Sequence, residues 1–255
     1  MKTYFTKLSL GLIIFASASF FTACKKTETI PAPLEEQNRM TSYQVVNVQG
    51  DPIIGAINDQ DSTVTVYLPS YRQLTSLQAE ISVSEGAVLE EGNLLIEDLM
   101  AVIQGDTTVY YHVQAKEEST RRYKLVIIVQ QEPLVLEEIS PNAEAPQLYT
   151  LNLKNIFATL NFNINGIGFV SNYELMKVVL VNEAGQESTP LGISIMNTTN
   201  IRKIGVNLTY FNAPGQEIDP VFDWLTATGL YKIRVYNYAQ VVTMQNPIQI
   251  DVLKN

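Results

Sequence analysis

The 255-residue sequence holds one cysteine, Cys24, and one histidine, His112. A structural zinc site of the usual cysteine–histidine kind cannot be assembled from them. An internal disulfide is excluded. A serine–histidine–aspartate triad would have to use His112, and a cysteine–histidine pair would need both singletons. Positive charge is also scarce, with 17 Lys and Arg against 26 Asp and Glu and a formal net charge of −9. Broad nucleic-acid binding depends on clustered cations over phosphate, so no nucleic-acid partner is expected. Charged residues make up only 17% and the hydrophobic set 46%, which excludes a chain disordered throughout. Beyond the N-terminal run, no apolar stretch reaches the 18 residues that a membrane-spanning helix needs.

That N-terminal run has the layout of an export signal. Lys2 and Lys7 give a positive start, Leu8 to Phe21 is apolar, and Thr22-Ala23 supplies the small residues. Cys24 follows at once. A lone cysteine directly after the small residues resembles the lipobox of bacterial lipoproteins. The resemblance implies cleavage before Cys24 by signal peptidase II, a diacylglycerol on its sulfur, and palmitate-type acyl chains holding the protein to the outer membrane. More than one chain is needed for stable attachment, and a triacylated cysteine meets that need. Residues 1–23 are therefore read as the leader. Residues 24–39, with Lys25-Lys26-Thr27-Glu28-Thr29-Ile30-Pro31-Ala32-Pro33, read as a flexible tether. Whether the cell surface or the periplasmic face is the destination stays open, because only Glu28 lies close to Cys24.

From Met40 onward the hydrophobic pattern has period two. Thr63 to Leu68 alternates and ends at Pro69, and Leu77 to Val83 alternates and stops before Gly86. Val109–Ala115 and Tyr123–Val129 form a pair around the charged turn Lys116 to Arg122. Residues 70–77 leave room for one helical turn, and Leu94 to Ile103 fits either a short helix or a strand pair. Short half-buried strands between turns predict all-β sandwiches. Gln131-Glu132-Pro133 marks a boundary, since proline removes a ladder donor. The expected organisation is two tandem immunoglobulin-like β-sandwich domains, residues 40–131 and 132–255.

The order of phrases Asp61–Pro69, Leu74–Ala87, Tyr110–Ala115 and Arg122–Ile127 resembles a small immunoglobulin-like module of cell-surface lipoproteins of gut-type bacteria. That resemblance implies an anchor-proximal spacer or a ligand-binding unit. Ile139-Ser140-Pro141, Gly166-Ile167-Gly168-Phe169 and Gly229 to Asn237 resemble the IPT/TIG fold. Gly166-Ile167-Gly168 is not a dinucleotide loop, because Ser171 stands where a third glycine would and no helix follows. A tight turn or bulge is expected instead.

No catalytic residue, cofactor or metal site is expected. His112 reads as an ordinary strand residue. Glu90-Glu91 and Glu137-Glu138 are adjacent, and neighbours on a strand point to opposite faces, so they read as solvated turn charges. The stretch 207–228 is read as a long connection carrying Tyr210, Phe211, Phe222 and the only tryptophan, Trp224. Two readings stay open. The rings are platforms for stacking on sugars, with Asp219 and Asp223 contacting hydroxyls, or they pin a short helical turn onto the core. Tyr236 and Tyr238, on one face by alternation, extend the platform if they point outward and belong to the core if not. The function expected is a non-catalytic envelope binding protein for oligo- or polysaccharide, working beside a TonB-dependent transporter or other envelope proteins. The alternatives are an adhesive protein–protein module and, more remotely, a carboxylate hydrolase.

Overall fold

The computed structural model describes residues 37–116, 119–195 and 201–254. The leader, Cys24 and all but the last three residues of the 24–39 tether lie outside them.

The first half runs β1 (Met40–Val45), β2 (Ile53–Ile54), β3 (Ala56–Asn58), β4 (Thr63–Pro69), β5 (Leu77–Val83), β6 (Val88–Leu89), β7 (Leu95–Ile96), α1 (Leu99–Gln104), β8 (Tyr110–Gln114) and β9 (Thr120–Gln130). Two sheets form, in the orders β2-β1-β5-β7 and β3-β4-β9-β8-β6. Val64, Val66 and Leu68 of β4 are buried at every second position, as the alternation requires. They pack with Tyr43, Leu77, Tyr111 and Tyr123 between the sheets. Tyr43 and Tyr111 meet edge to face at 5.6 Å, and their hydroxyls share a hydrogen bond of 3.0 Å. That bond satisfies two phenols that burial would otherwise strand. The ambiguous stretch 94–103 becomes both a strand and a helix, because Asp98 caps α1 through the Ala101 N–H and Gly105 ends it at φ 87°.

The second half runs β10 (Val135–Leu136), β11 (Leu148–Asn152), β12 (Phe157–Ile167), β13 (Met176–Val181), β14 (Gly192–Ser194), β15 (Lys203–Phe211), α2 (Val221–Trp224), β16 (Gly229–Asn237), β17 (Gln240–Thr243) and β18 (Ile248–Leu253). One sheet has the order β10-β12-β15-β14, the other β11-β18-β16-β13, with β17 also on β16. Leu160, Phe162 and Ile164 from one sheet meet Val178, Leu180, Ile233 and Val235 from the other.

Gly166 and Gly168 are explained by close backbone approach. A Cβ on Gly168 would stand 2.4 Å from the Pro133 carbonyl oxygen, and its φ is +87°. A Cβ on Gly166 would meet the Val135 carbonyl oxygen at the same distance. The segment 133–136 therefore lies directly over the end of β12, which only glycine permits.

The two halves are packed together. Met100, Ile103 and Val129 of the first half touch the core of the second. Gln131 gives its amide to the Asn237 carbonyl at 3.0 Å and accepts from the Ala239 N–H at 3.2 Å. Tyr238 sits at this junction. It is fully buried, and its carbonyl accepts from Gln104 Nε2 at 3.2 Å.

Candidate functional site: an uncharged sheet face

β12 and β15 are long neighbours in one sheet, and their alternation is strict. The inward positions are apolar, and the outward ones carry a row of small polar groups. In register, Phe157 faces Phe211, Thr159 faces Thr209, Asn161 faces Asn207, Asn163 faces Gly205 and Asn165 faces Lys203. β14 adds Gly192 beside Asn207 and Ser194 beside Gly205. Lys203, at one end, is the only charged residue in these three strands. Eight residue steps separate Phe157 from Asn165, so the face is about 27 Å long.

The side chains are tied to one another. Asn207 Nδ2 donates to Asn161 Oδ1, and Thr209 Oγ1 donates to Asn207 Oδ1 at 2.6 Å. A Cβ on Gly205 would lie 2.7 Å from Ser194 Oγ, so Ser194 leans across that position and keeps the surface level. At the other end Phe157 and Phe211 are 56% and 44% exposed, with ring centroids 6.3 Å apart and planes at 69°. Chemically this is a surface of amide and hydroxyl donors and acceptors ending in a pair of exposed rings.

The residues expected from the sequence are distributed differently. Phe211 stands on this face, where it points to solvent. Tyr210, its neighbour on β15, points inward and is buried against Phe222, with rings 5.0 Å apart. Trp224 is half-buried, tilted on Tyr231 at 5.5 Å and packed against the core. The core reading therefore holds for Tyr210, Phe222 and Trp224, which hold α2 down on the sandwich. Asp219 Oδ1 accepts the Val221 N–H at 2.9 Å and fixes the start of that short helix. Asp223 is exposed and shares a shallow pocket of about 240 Å³ with Tyr210, Phe222 and Lys254.

Tyr236 and Tyr238 do not share a face. β16 ends at Asn237, and Tyr238 turns the chain with φ 58°, so alternation stops before it. Burial pushes its hydroxyl pKa up to about 12, partly offset by the Leu74 backbone. Tyr236 points outward, yet Lys177 Nζ covers its ring at 4.0 Å. Its hydroxyl donates to Glu187 Oε1 at 2.7 Å, which also takes Arg234 Nη1 at 2.5 Å. Burial raises the Glu187 pKa, but Tyr236, Arg234 and Lys177 outweigh it and hold the carboxyl below its ordinary range.

The expectation for Glu90 and Glu91 is corrected. They lie in a turn after β6, as read, but the two carboxylates do not diverge: both come to one side, beside His112. The Asn and Thr residues of β12 and β15 were missed by reading site chemistry from aromatics in a connection. The signal was present in Phe157-Ala158-Thr159-Leu160-Asn161-Phe162-Asn163-Ile164-Asn165, where every outward position is uncharged.

No protein-family model matches the chain, and no curated protein matches it. Solved structures that align with parts of the chain include a protein of unknown function from Bacteroides thetaiotaomicron. It is 16% identical, with a TM-score of 0.30, over 48% of this chain and 22% of that one. A second protein from the same organism, provisionally assigned as a glycoside hydrolase, is 10% identical, with a TM-score of 0.32, over 85% and 83%. The titin domains Z1Z2 in complex with telethonin are 12% identical, with a TM-score of 0.25, over 76% and 93%. None of these similarities bears on function. The chain's own architecture is all-β, built as two β-sandwiches.

Proposed function

We propose that this chain is a non-catalytic, lipid-anchored envelope protein that binds an uncharged glycan on the outer face of β12, β14 and β15. The observation that carries the reading is the row of Thr159, Asn161, Asn163, Asn207 and Thr209 beside the exposed Phe157–Phe211 pair. Amides and hydroxyls both donate and accept, as sugar hydroxyls do. The paired rings offer an apolar edge for the C–H face of a sugar. Lack of charge matches a neutral polymer better than a protein rim, which carries charged residues.

Cys24 is the lipid attachment point in this reading, and the outer membrane is the location. A TonB-dependent transporter or another envelope protein is the partner that would receive the glycan. The IPT/TIG assignment for 132–255 rests on Ile139-Ser140-Pro141 and the Gly166-Ile167-Gly168-Phe169 phrase.

Affinity electrophoresis through gels containing neutral polysaccharides (xylan, mannan, starch, hydroxyethylcellulose) tests the reading. Retardation by at least one polymer is expected, lost in a Phe157→Ala/Phe211→Ala variant that melts as wild type does. Free migration in every gel would leave the adhesive alternative as the better account.

A further inference from the structure

The sequence's only histidine has been brought against two carboxylates on the first sandwich. The Glu90 N–H donates to the His112 carbonyl at 3.0 Å, and Gly92 closes the turn back onto Leu89 with φ 64°. Glu91 then accepts the His112 backbone N–H on Oε2 at 2.8 Å and is hydrogen-bonded through Oε1 to His112 Nδ1. Glu90 is exposed, and no cation among the described residues pairs with it.

We propose that Glu90, Glu91 and His112 form a binding site for a divalent transition-metal ion. One donor atom from each residue lies within 4.8 Å of the others. Donors bound to one ion at about 2.1 Å stand at most about 4.2 Å apart. Rotation of the exposed Glu90 side chain covers the difference, and the ion would take the place of the proton shared by His112 Nδ1 and Glu91 Oε1, parting those two donors to ligand spacing. One imidazole with two carboxylates suits zinc or a similar first-row ion, whereas calcium and magnesium favour all-oxygen sets. Three protein donors leave at least one position for water or an outside ligand. The opposing charge is Arg122, directly across from His112 on β9. Its guanidinium lies over the Tyr110 ring, 4.2 Å from the centroid. Lys124, across from Tyr110, is the second cation on that face of β9. The ion would tie the two-residue edge strand β6 and its turn to β8.

The test is calorimetric titration of zinc chloride into the untagged full chain, beside thermal melts with and without zinc. One zinc per chain is expected, with a higher melting temperature. Glu90→Gln should weaken binding at least tenfold without changing the metal-free melt, since the Glu90 carboxylate makes no internal hydrogen bond among the described residues. His112→Gln should abolish binding. The proposal is overturned if zinc gives no saturable heat, if Glu90→Gln binds as tightly as wild type, or if magnesium binds equally well.

Discussion

Trp224 and Phe211 carry the same two readings in the sequence, stacking platform or core, and their environments separate them. Trp224 covers Tyr231 and the core edge, so Trp224→Ala is expected to cost about 2 kcal/mol of stability. It should leave glycan affinity within about twofold. Phe211 projects to solvent, so Phe211→Ala should cost less than about 1 kcal/mol yet weaken glycan binding severalfold. Urea midpoints and titrations on the same two variants check both halves. Glu187 adds a pH signature. Its folded pKa is lowered from the ordinary 4.5, so its contribution is present above that value and is lost as pH falls through the folded one. The melting-temperature gap between wild type and Glu187→Gln should be steady from neutrality to about pH 5 and close on further acidification. At this scale the sequence was legible in part. It offered both the core and the ligand reading for the aromatics, and only tertiary packing decides between them.

Elements were far more legible than their surroundings. β4 and β5 were readable because period-two burial leaves its mark at every second residue, and β4 ends on Pro69 where a ladder donor is missing. Outward chemistry on β12 was equally readable, but it lies in a strand rather than in the connection where attention falls first. Two features were not readable. Tyr238 takes φ 58°, a conformation unfavourable for a bulky residue. Its backbone is held by the Leu175 carbonyl at 2.8 Å and by Gln104, both distant in sequence. Glu90 and Glu91 converge on His112 because the turn after β6 lies against β8, and that meeting is tertiary, not local. Tyr238→Ala should therefore act beyond its own turn. Loss of a fully buried aromatic costs about 3–5 kcal/mol, and the ring fills the junction between the sandwiches. Calorimetry should show one unfolding transition for wild type and two resolved transitions for Tyr238→Ala.

The described residues form two tandem β-sandwiches, and the proposed lipid attachment at Cys24 precedes them in the sequence. Met100, Ile103 and Val129 pack onto the second core, and Gln131 bridges the junction, so the sandwich that carries β12 and β15 is packed directly against the first. Composition already ruled out a zinc site of the usual cysteine–histidine kind. It could not reveal that a lone histidine meets two glutamates, because that meeting depends on a turn and a neighbouring strand. The central claim is that the face of β12 and β15, rather than the α2 region, contacts sugar. Amide-resolved NMR during titration with neutral oligosaccharides measures this directly. The account predicts the largest shifts at Phe157, Thr159, Asn161, Asn207, Thr209 and Phe211, with residues 221–224 unmoved. Shifts centred on 221–224, or none on β12 and β15 at saturating sugar, would contradict it.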